Sequence, residues 1–292
     1  MFNAIEKITA KITNEKIKHK LAKILSTFVP TNLHRSECDF DLLQNRFPLL
    51  SVYEYDAYSL WERAQKRISV LFDTIPAIKK RGLRIVDAGA GDGILCAQLS
   101  LFGHQAICVD REDWRDEQAR HLPFIQNELE NIDQVESDSV DVVISFNTFE
   151  HVQDPEMVLN ELLRILKPKG LFYTHFGPLY HSPWGLHCYR TLHMPYAQFL
   201  FSSEFIEEKL QKYGVKDLGK DSTSLQPLNK WSLNKFEVLF HSSGHELLKF
   251  EKQTYFQDLE LILEYPEAFQ GRGLSVEDVT TRSLEVLIRK QS

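Results

Sequence analysis

The chain has 292 residues, a formal net charge of −7 and four cysteines. That length is enough to bury a full-sized core, and the acidic balance argues against a whole-protein electrostatic footprint for nucleic acid. Cys38, Cys96, Cys108 and Cys188 form no Cys-x-x-Cys pair, no apolar run is long enough to cross a bilayer and no signal-peptide pattern is present, so a reducing, cytoplasmic setting is expected.

Ile5, Ile8, Ile12, Ile17, Leu21, Ile24, Leu25 and Phe28 recur at roughly helical spacing, while Lys7, Lys11, Lys16, Lys18, Lys20 and Lys23 fill the other face against Glu6 and Glu15. A basic amphipathic helix of this kind suits an anionic membrane surface. It equally suits docking of its apolar stripe on the same chain, or on a second copy in a homodimer. Residues 30–55, with Pro30 and Pro48, read as loop, and Ser59–Phe72 as the helix before the first strand.

Ile85–Asp87 reads as a short buried strand that runs into Ala88-Gly89-Ala90-Gly91-Asp92-Gly93 and then a helix over Ile94–Phe102. Three glycines at alternate positions let the backbone pass close to a ligand, because no Cβ stands in the way. The Gly-x-Gly-x-x-Gly spacing of dinucleotide sites is not met. Asp87, two residues ahead of the first glycine, is placed either to order the loop or to meet a cationic ligand. Gly103 stops the helix, and Ala106–Val109 is the next strand. It ends at Asp110, about twenty residues past the loop, where an acid suits a bidentate hydrogen bond to ribose hydroxyls.

Phe124–Asn131 holds the third strand and its exit loop. Val140–Phe146 is a near-continuous apolar run, as a strand buried on both faces requires. Asn147 to Pro155 follows, then a helix over Glu156–Leu166, a turn at Lys167-Pro168-Lys169-Gly170 and a strand over Leu171–Thr174. The segment from His175 to Phe205 carries His175, His181, His187 and His193 among Phe176, Tyr180, Trp184, Tyr189 and Tyr196. Gly177, Pro178, Pro183 and Gly185 exclude regular structure before about residue 186. A neutral imidazole accepts a hydroxyl proton at physiological pH, so His181 and His187 are candidate general bases, with Tyr180, Trp184 and Tyr189 as acceptor-pocket walls. Hydrogen-bonded loop closure is the competing use of these histidines. No His-x-x-x-His on a clear helix supports a metal, and none is expected. Glu204–Tyr213 and Trp231–His241 read as lid helices, and His245–Tyr255 and Ser283–Arg289 as closing strands.

The glycine triplet behind Asp87, together with Asp141, Glu150-His151-Val152-x-Asp154-Pro155 and Arg164-x-Leu166-Lys167-Pro168-x-Gly170, resembles the class I S-adenosylmethionine methyltransferases. The likeness is to the domain of quinone and small-molecule methyltransferases, over roughly residues 80–175. It departs at Lys169, where the family more often has glycine, and Gly170 is expected to serve the turn instead. The resemblance implies an α/β, doubly wound, Rossmann-like fold with a seven-stranded, mostly parallel sheet. Residues 1–80 would form a helical N-terminal extension, 81–175 the cofactor-binding core, 176–242 an insertion after the fifth strand, and 243–292 the last two strands. S-adenosylmethionine is the implied cofactor, with Asp87, Gly89, Ala90, Gly91, Gly93, Asp110, Arg111, Asn147 and His151 around it and Glu128 and Leu129 at the adenine edge. The expected reaction is oxygen methylation of a small-molecule or glycan hydroxyl. Carbon or nitrogen methylation of a quinone-like or lipid-associated acceptor is the runner-up, and a non-catalytic S-adenosylmethionine-binding scaffold the alternative from another class. An NAD-dependent oxidoreductase is disfavoured by the glycine spacing and the lack of a Tyr-x-x-x-Lys pair.

Overall fold

Short apolar runs separated by helix-length segments dictate a parallel sheet, since parallel neighbours need long crossovers. The computed structural model describes residues 2–28, 36–50, 54–217, 220–222 and 225–292, with backbone only at 2–13, 38, 216–217 and 220–222. Its main sheet holds β1 (Arg84–Ala88), β2 (Gln105–Asp110), β3 (Phe124–Gln126), β4 (Val140–Phe146), β5 (Leu166–Phe176), β6 (Glu246–Thr254) and β7 (Thr281–Arg289). Their order is β3-β2-β1-β4-β5-β7-β6. The first five strands run parallel, and β7 lies antiparallel to β5 with Phe172 opposite Ile288. The expected doubly wound seven-stranded sheet is therefore present. Its strand order reverses between β1 and β4, the switch point where ligands bind beyond the carboxyl ends.

Helix α1 (Ala57–Thr74) buries Leu60, Ala64, Ile68 and Leu71, a stripe at three- and four-residue intervals. It shares a core with α2 (Ile94–Leu101) and with Ile85, Val142, Ile144 and Tyr173 of the sheet. Helix α3 (Pro155–Ile165) starts where Asp154 accepts the N–H groups of Glu156 and Met157, with proline in the first turn. Half of the Glu-His-Val-x-Asp-Pro motif thus serves helix initiation. Helix α4 (Leu233–His241) sets Phe236 against Phe176 and Phe240 against Phe149, with centroids 5.0 Å and 5.8 Å apart. Asp141 ties strand beginnings together, accepting from Arg84 N at 2.8 Å and Lys167 Nζ at 2.6 Å. Burial opposes its charge, yet these two donors hold the carboxyl below its usual range. The turn before β5 departs from expectation. Lys169 itself takes the left-handed conformation (φ 68°), while Gly170 is needed for space, because a Cβ there would sit 2.8 Å from Lys167 O.

The chain divides into two compact units. The sheet unit comprises Ser51–Gly177, Pro227–Lys252 and Ser283–Ser292, and the second unit Met1–Leu50, Pro178–Gln226 and Gln253–Arg282. These limits differ from the expected boundaries at residues 80, 175 and 242. The helix before β1 and the segment around α4 go with the sheet because their apolar faces are buried in it. The second unit has its own core, which includes Leu21, Phe40, Tyr196, Phe199, Ile262 and Phe269. A helix over Glu37–Arg46 replaces the expected loop. Ser36 and Asp39 form a reciprocal capping box at its start, and Phe40 and Leu43 face the core. In the helix Phe2–Ser26, Leu21 and Leu25 are buried in the same core, with Ile17 and Ile24 packed against it. Ile17, Leu21, Ile24 and Leu25 are thus spent on same-chain docking, while Phe28 at the end of the stripe is 79% exposed. The side chains of Ile5, Glu6, Lys7, Ile8, Lys11, Ile12 and Cys38, and Pro30 as a whole, lie outside the described residues. Among the described residues no helix is long and apolar enough to cross a membrane.

Candidate functional site

The loop between β1 and α2 is held by its neighbours on both sides. Gly89 N and Ala90 N donate to Val109 O at 2.9 Å and 3.1 Å, and Asp110, at the end of β2, accepts from Gly91 N at 2.9 Å. Gly89, Gly91 and Gly93 are all left-handed, with φ of 79°, 54° and 72°. They are not glycine for one common reason. A Cβ on Gly89 would lie 2.2 Å from Thr148 Oγ1, and one on Gly93 would lie 2.9 Å from Ala119 Cβ. Only at Gly91 is there nothing within 4 Å. Gly89 and Gly93 therefore make room for the protein itself as well. Asp92 accepts from Ile94 N, the first N–H of α2, at 3.0 Å, and pairs with the Arg63 guanidinium.

Asp87 is 2% exposed, with Cys96 Sγ of α2 3.9 Å from its Oδ2. Burial raises its carboxyl to about 7, opposed by Arg67 and reinforced by Asp92 and Asp110. Asp87 is therefore an internal group below the loop, beside Arg67 and α2. Asp110 is likewise raised by burial, against the N–H groups of Gly91, Glu112 and Arg111. Arg111 itself is exposed. Asn127 N donates to Asp110 O at 3.0 Å, which brings the exit of β3 alongside; there Glu128 is exposed while Leu129 is buried in the core. At the end of β4, Asn147 is exposed in a left-handed conformation (φ 52°) and its N–H donates to His175 O. His151 Nδ1 lies 2.8 Å from Pro227 O. Glu150 is 3% exposed: Oε1 accepts from Gly177 N at 3.0 Å, Oε2 is buried without a hydrogen-bond partner among the described residues, and burial pushes the carboxyl up to about 8. The carboxyl ends of β3, β2, β1 and β4 thus carry, side by side, the residues expected at the cofactor.

The expected base and acceptor residues belong to the second unit. His181 stacks on Phe199 (centroids 6.0 Å apart, planes at 21°) and meets Tyr180 edge-on at 5.3 Å. Burial lowers its pKa, against the pull of Asp278 and with the help of Arg272. Its Nδ1 is buried and has no hydrogen-bond partner among the described residues. His187 is held left-handed (φ 62°), with Nε2 2.7 Å from Pro178 O. Trp184 is 7% exposed and hydrogen bonds to the Asp258 carboxylate. The space lined by Trp184, His187, Tyr189 and Gln198 measures about 10 Å³, room for about one water. Within this unit, then, Trp184 and Tyr189 are packed wall and do not enclose an acceptor-sized pocket. Gly185 makes that packing possible, since a Cβ would lie 2.2 Å from Tyr180 O.

The profile of the methyltransferase domain family matches residues 60–218, more than half of the chain. The chain belongs to the class I S-adenosylmethionine-dependent methyltransferases. The ubiquinone biosynthesis O-methyltransferase of Xanthomonas oryzae is 26% identical to it over 152 residues, 49% of this chain and 61% of that protein. The tRNA 5-carboxymethoxyuridine methyltransferase of Escherichia coli is 28% identical over 114 residues, 34% of this chain and 44% of that protein. The methyltransferase chain thus spans about half the length of these curated relatives. Among solved structures, the S-adenosylmethionine-dependent methyltransferase of Mesorhizobium loti is 17% identical with a TM-score of 0.46, covering 76% of this chain and 96% of that one.

S-adenosylmethionine is the methyl donor of this family, and the methyltransferase loop fits it. A nucleoside can approach at Gly91, where a Cβ would meet only open space. In dinucleotide sites a pyrophosphate takes the first N–H groups of the helix. Here Asp92 takes the N–H of Ile94, and the Asp87, Asp92 and Asp110 carboxyls gather round the loop. Arg63 and Arg67 lie among these carboxyls, so the loop is not a bare anionic patch; with the Ile94 N–H taken by a carboxylate, the helix start offers a pyrophosphate one donor fewer. Sequence reasoning missed Thr148, whose place behind Gly89 depends on the β1–β4 register, fixed in part by Ser145 Oγ donating to Ala88 O at 2.8 Å. It also missed Arg63 and Arg67. Their four-residue spacing on α1, either side of buried Ala64, was the available signal.

Proposed function

We propose that this methyltransferase moves the methyl group of S-adenosylmethionine to a hydroxyl of a small molecule or glycan, with a histidine of the 178–226 segment as general base. The observation that supports it most is the glycine loop whose N–H groups at Gly91 and Ile94 are taken by carboxylates. When bound, the donor supplies a methyl group on an already activated sulfonium, open to in-line displacement. Asp110 would meet the ribose and Glu128 the adenine edge, from the ends of β2 and β3. The base would take the acceptor proton as the oxygen–methyl bond forms and the methyl–sulfur bond breaks, with S-adenosylhomocysteine as the leaving group. Burial keeps His181 neutral near pH 7, and a neutral imidazole is the form that can accept it. In His187, a proton on Nε2 shared with Pro178 O makes Nδ1 the basic nitrogen. The name of the Xanthomonas relative favours oxygen as the methylated atom. We place the protein in the cytoplasm, since Cys96 and Cys108 are buried beside one another as thiols.

Calorimetric titration with S-adenosylhomocysteine and, in parallel, NAD tests the cofactor. Micromolar binding of the first alone is expected, and binding of NAD instead overturns the reading. For the base, methyl transfer to phenolic and sugar hydroxyls is compared in His181→Ala and His187→Ala. Full turnover in both variants removes histidine from the chemistry.

A further inference from the structure

Away from His181 and His187, the second unit has a cleft of about 350 Å³, within the usual range of small-ligand sites. Asp41, Gln44 and Asn45 line it from the helix Glu37–Arg46, and Arg190, His193 and Tyr213 from the inserted segment. We propose that this cleft binds a saccharide. It bears on the glycan arm of the function proposed above, and its test does not depend on the methyl donor.

Small-ligand sites are usually lined by apolar side chains with a few polar groups between them. Here each of those six side chains carries a polar group, so a quinone ring or an acyl chain would find little to bury against. The charge balance is close to even, since the lining holds one carboxylate, Asp41, one guanidinium, Arg190, and the His193 imidazole. A phosphate or other strong anion calls for a surplus of cations, which this lining does not provide. What suits it is a neutral ligand dense in donors and acceptors. The wall is set in advance: Gln44 Nε2 donates to Thr191 O at 2.7 Å, Gln44 Oε1 accepts from His193 N at 3.0 Å, and Thr191 Oγ1 donates to Gly214 O at 2.9 Å. Binding then spends little on ordering the protein. Tyr213 is 47% exposed; Lys212 Nζ lies 5.3 Å from its ring centroid, and the remaining face of the ring suits the apolar face of a pyranose. A zwitterionic amino acid would use Asp41 and Arg190 but has no need of that ring.

The test is saturation-transfer NMR on the full chain without S-adenosylmethionine, using D-glucose, D-galactose, D-mannose, N-acetyl-D-glucosamine and glycine, with inorganic phosphate followed by its phosphorus line width. At least one hexose should bind with a Kd of about 1–10 mM, weakened at least about tenfold in Tyr213→Ala and in Asp41→Asn. Both positions are exposed, so the fold should survive; if circular dichroism shows Tyr213→Ala unfolded, Asp41→Asn decides. Absence of hexose binding overturns the proposal, as does hexose binding unchanged in the folded variants. Binding of glycine or phosphate in place of hexoses overturns it too. None of these results touches the calorimetry with S-adenosylhomocysteine, so the two readings fail separately.

Discussion

The glycine loop of the sheet unit and the histidine-rich segment of the second unit solve the same problem in opposite ways. Each must keep an irregular stretch of backbone in one conformation. The loop does so with carboxylates, Asp110 on Gly91 N and Asp92 on Ile94 N, and with glycines that accept positive φ. The histidine segment does so with rings and carbonyls: His187 to Pro178 O, Gln198 Nε2 to the carbonyls of Tyr180 and Ser182, and His181 stacked on Phe199. The first arrangement leaves an open side at Gly91. The second fills nearly all of the space around Trp184 and His187, and a wider cleft in that unit lies where Arg190, Thr191 and His193 meet Asp41 and Tyr213. A cluster of functional-looking side chains is thus not by itself a cavity.

The largest effects should come from the glycine that each region cannot replace. Gly185→Ala drives a Cβ into the carbonyls of Tyr180 and Leu179, atoms that cannot rotate away. A loss above about 3 kcal/mol is expected in urea unfolding, with S-adenosylhomocysteine affinity kept wherever the protein stays folded. Gly89→Ala meets the Thr148 side chain, which can yield, so a loss of about 2–3 kcal/mol is expected. Here, however, S-adenosylhomocysteine binding should fall with it. Equal ligand affinities in the two variants would break the comparison. Next in size, Asp110→Asn should weaken S-adenosylhomocysteine binding by about 10- to 100-fold in calorimetry, because a charged acceptor on the loop is lost.

A pH series sharpens the contrast further. Asp87 and Glu150 are raised to about 7 and about 8, so the folded state keeps protons that the unfolded chain releases. Stability from this source is complete at acid pH, falls between about pH 4 and 8, and levels off beyond. The slope is at most about 1.4 kcal/mol per pH unit for each group. Denaturant midpoints should drop on going from pH 5 to pH 8, and Glu150→Gln should flatten that fall; an unchanged slope would mean that Glu150 is charged when folded. Smallest of all, Lys169→Gly should raise stability by up to about 1 kcal/mol in thermal unfolding, by relieving a left-handed lysine.

Much of the sheet was legible because its signals are local. Val140–Phe146 appears as read, Ile94–Leu101 falls one residue short of the expected helix, and Asp110 sits at the end of its strand. Asp154-Pro155 announces a helix start by its own capping chemistry. What escaped depends on contacts far apart in sequence. Thr148 explains Gly89 only once β4 lies beside β1, and Arg67 matters only because Asp87 and Glu150 are buried near it. The helix Glu37–Arg46 is a different kind of miss. Its capping box Ser36–Asp39 was there to be read, but Pro30 and Pro48 drew attention to loop. Tyr180 and His181 were found by composition, and composition says nothing of which face they turn.

The second unit is assembled from three separated stretches, and Thr27 O accepts from Gly271 N. On a ribosome adding about 5–20 residues per second, Leu21 and Leu25 would wait roughly 10–50 s for Leu261, Ile262 and Phe269 to emerge. During that interval the stripe has no permanent home on the nascent chain. Holding it out of trouble is a task for whatever meets the emerging polypeptide, and the six lysines beside the stripe would keep that early segment dissolved while it waits.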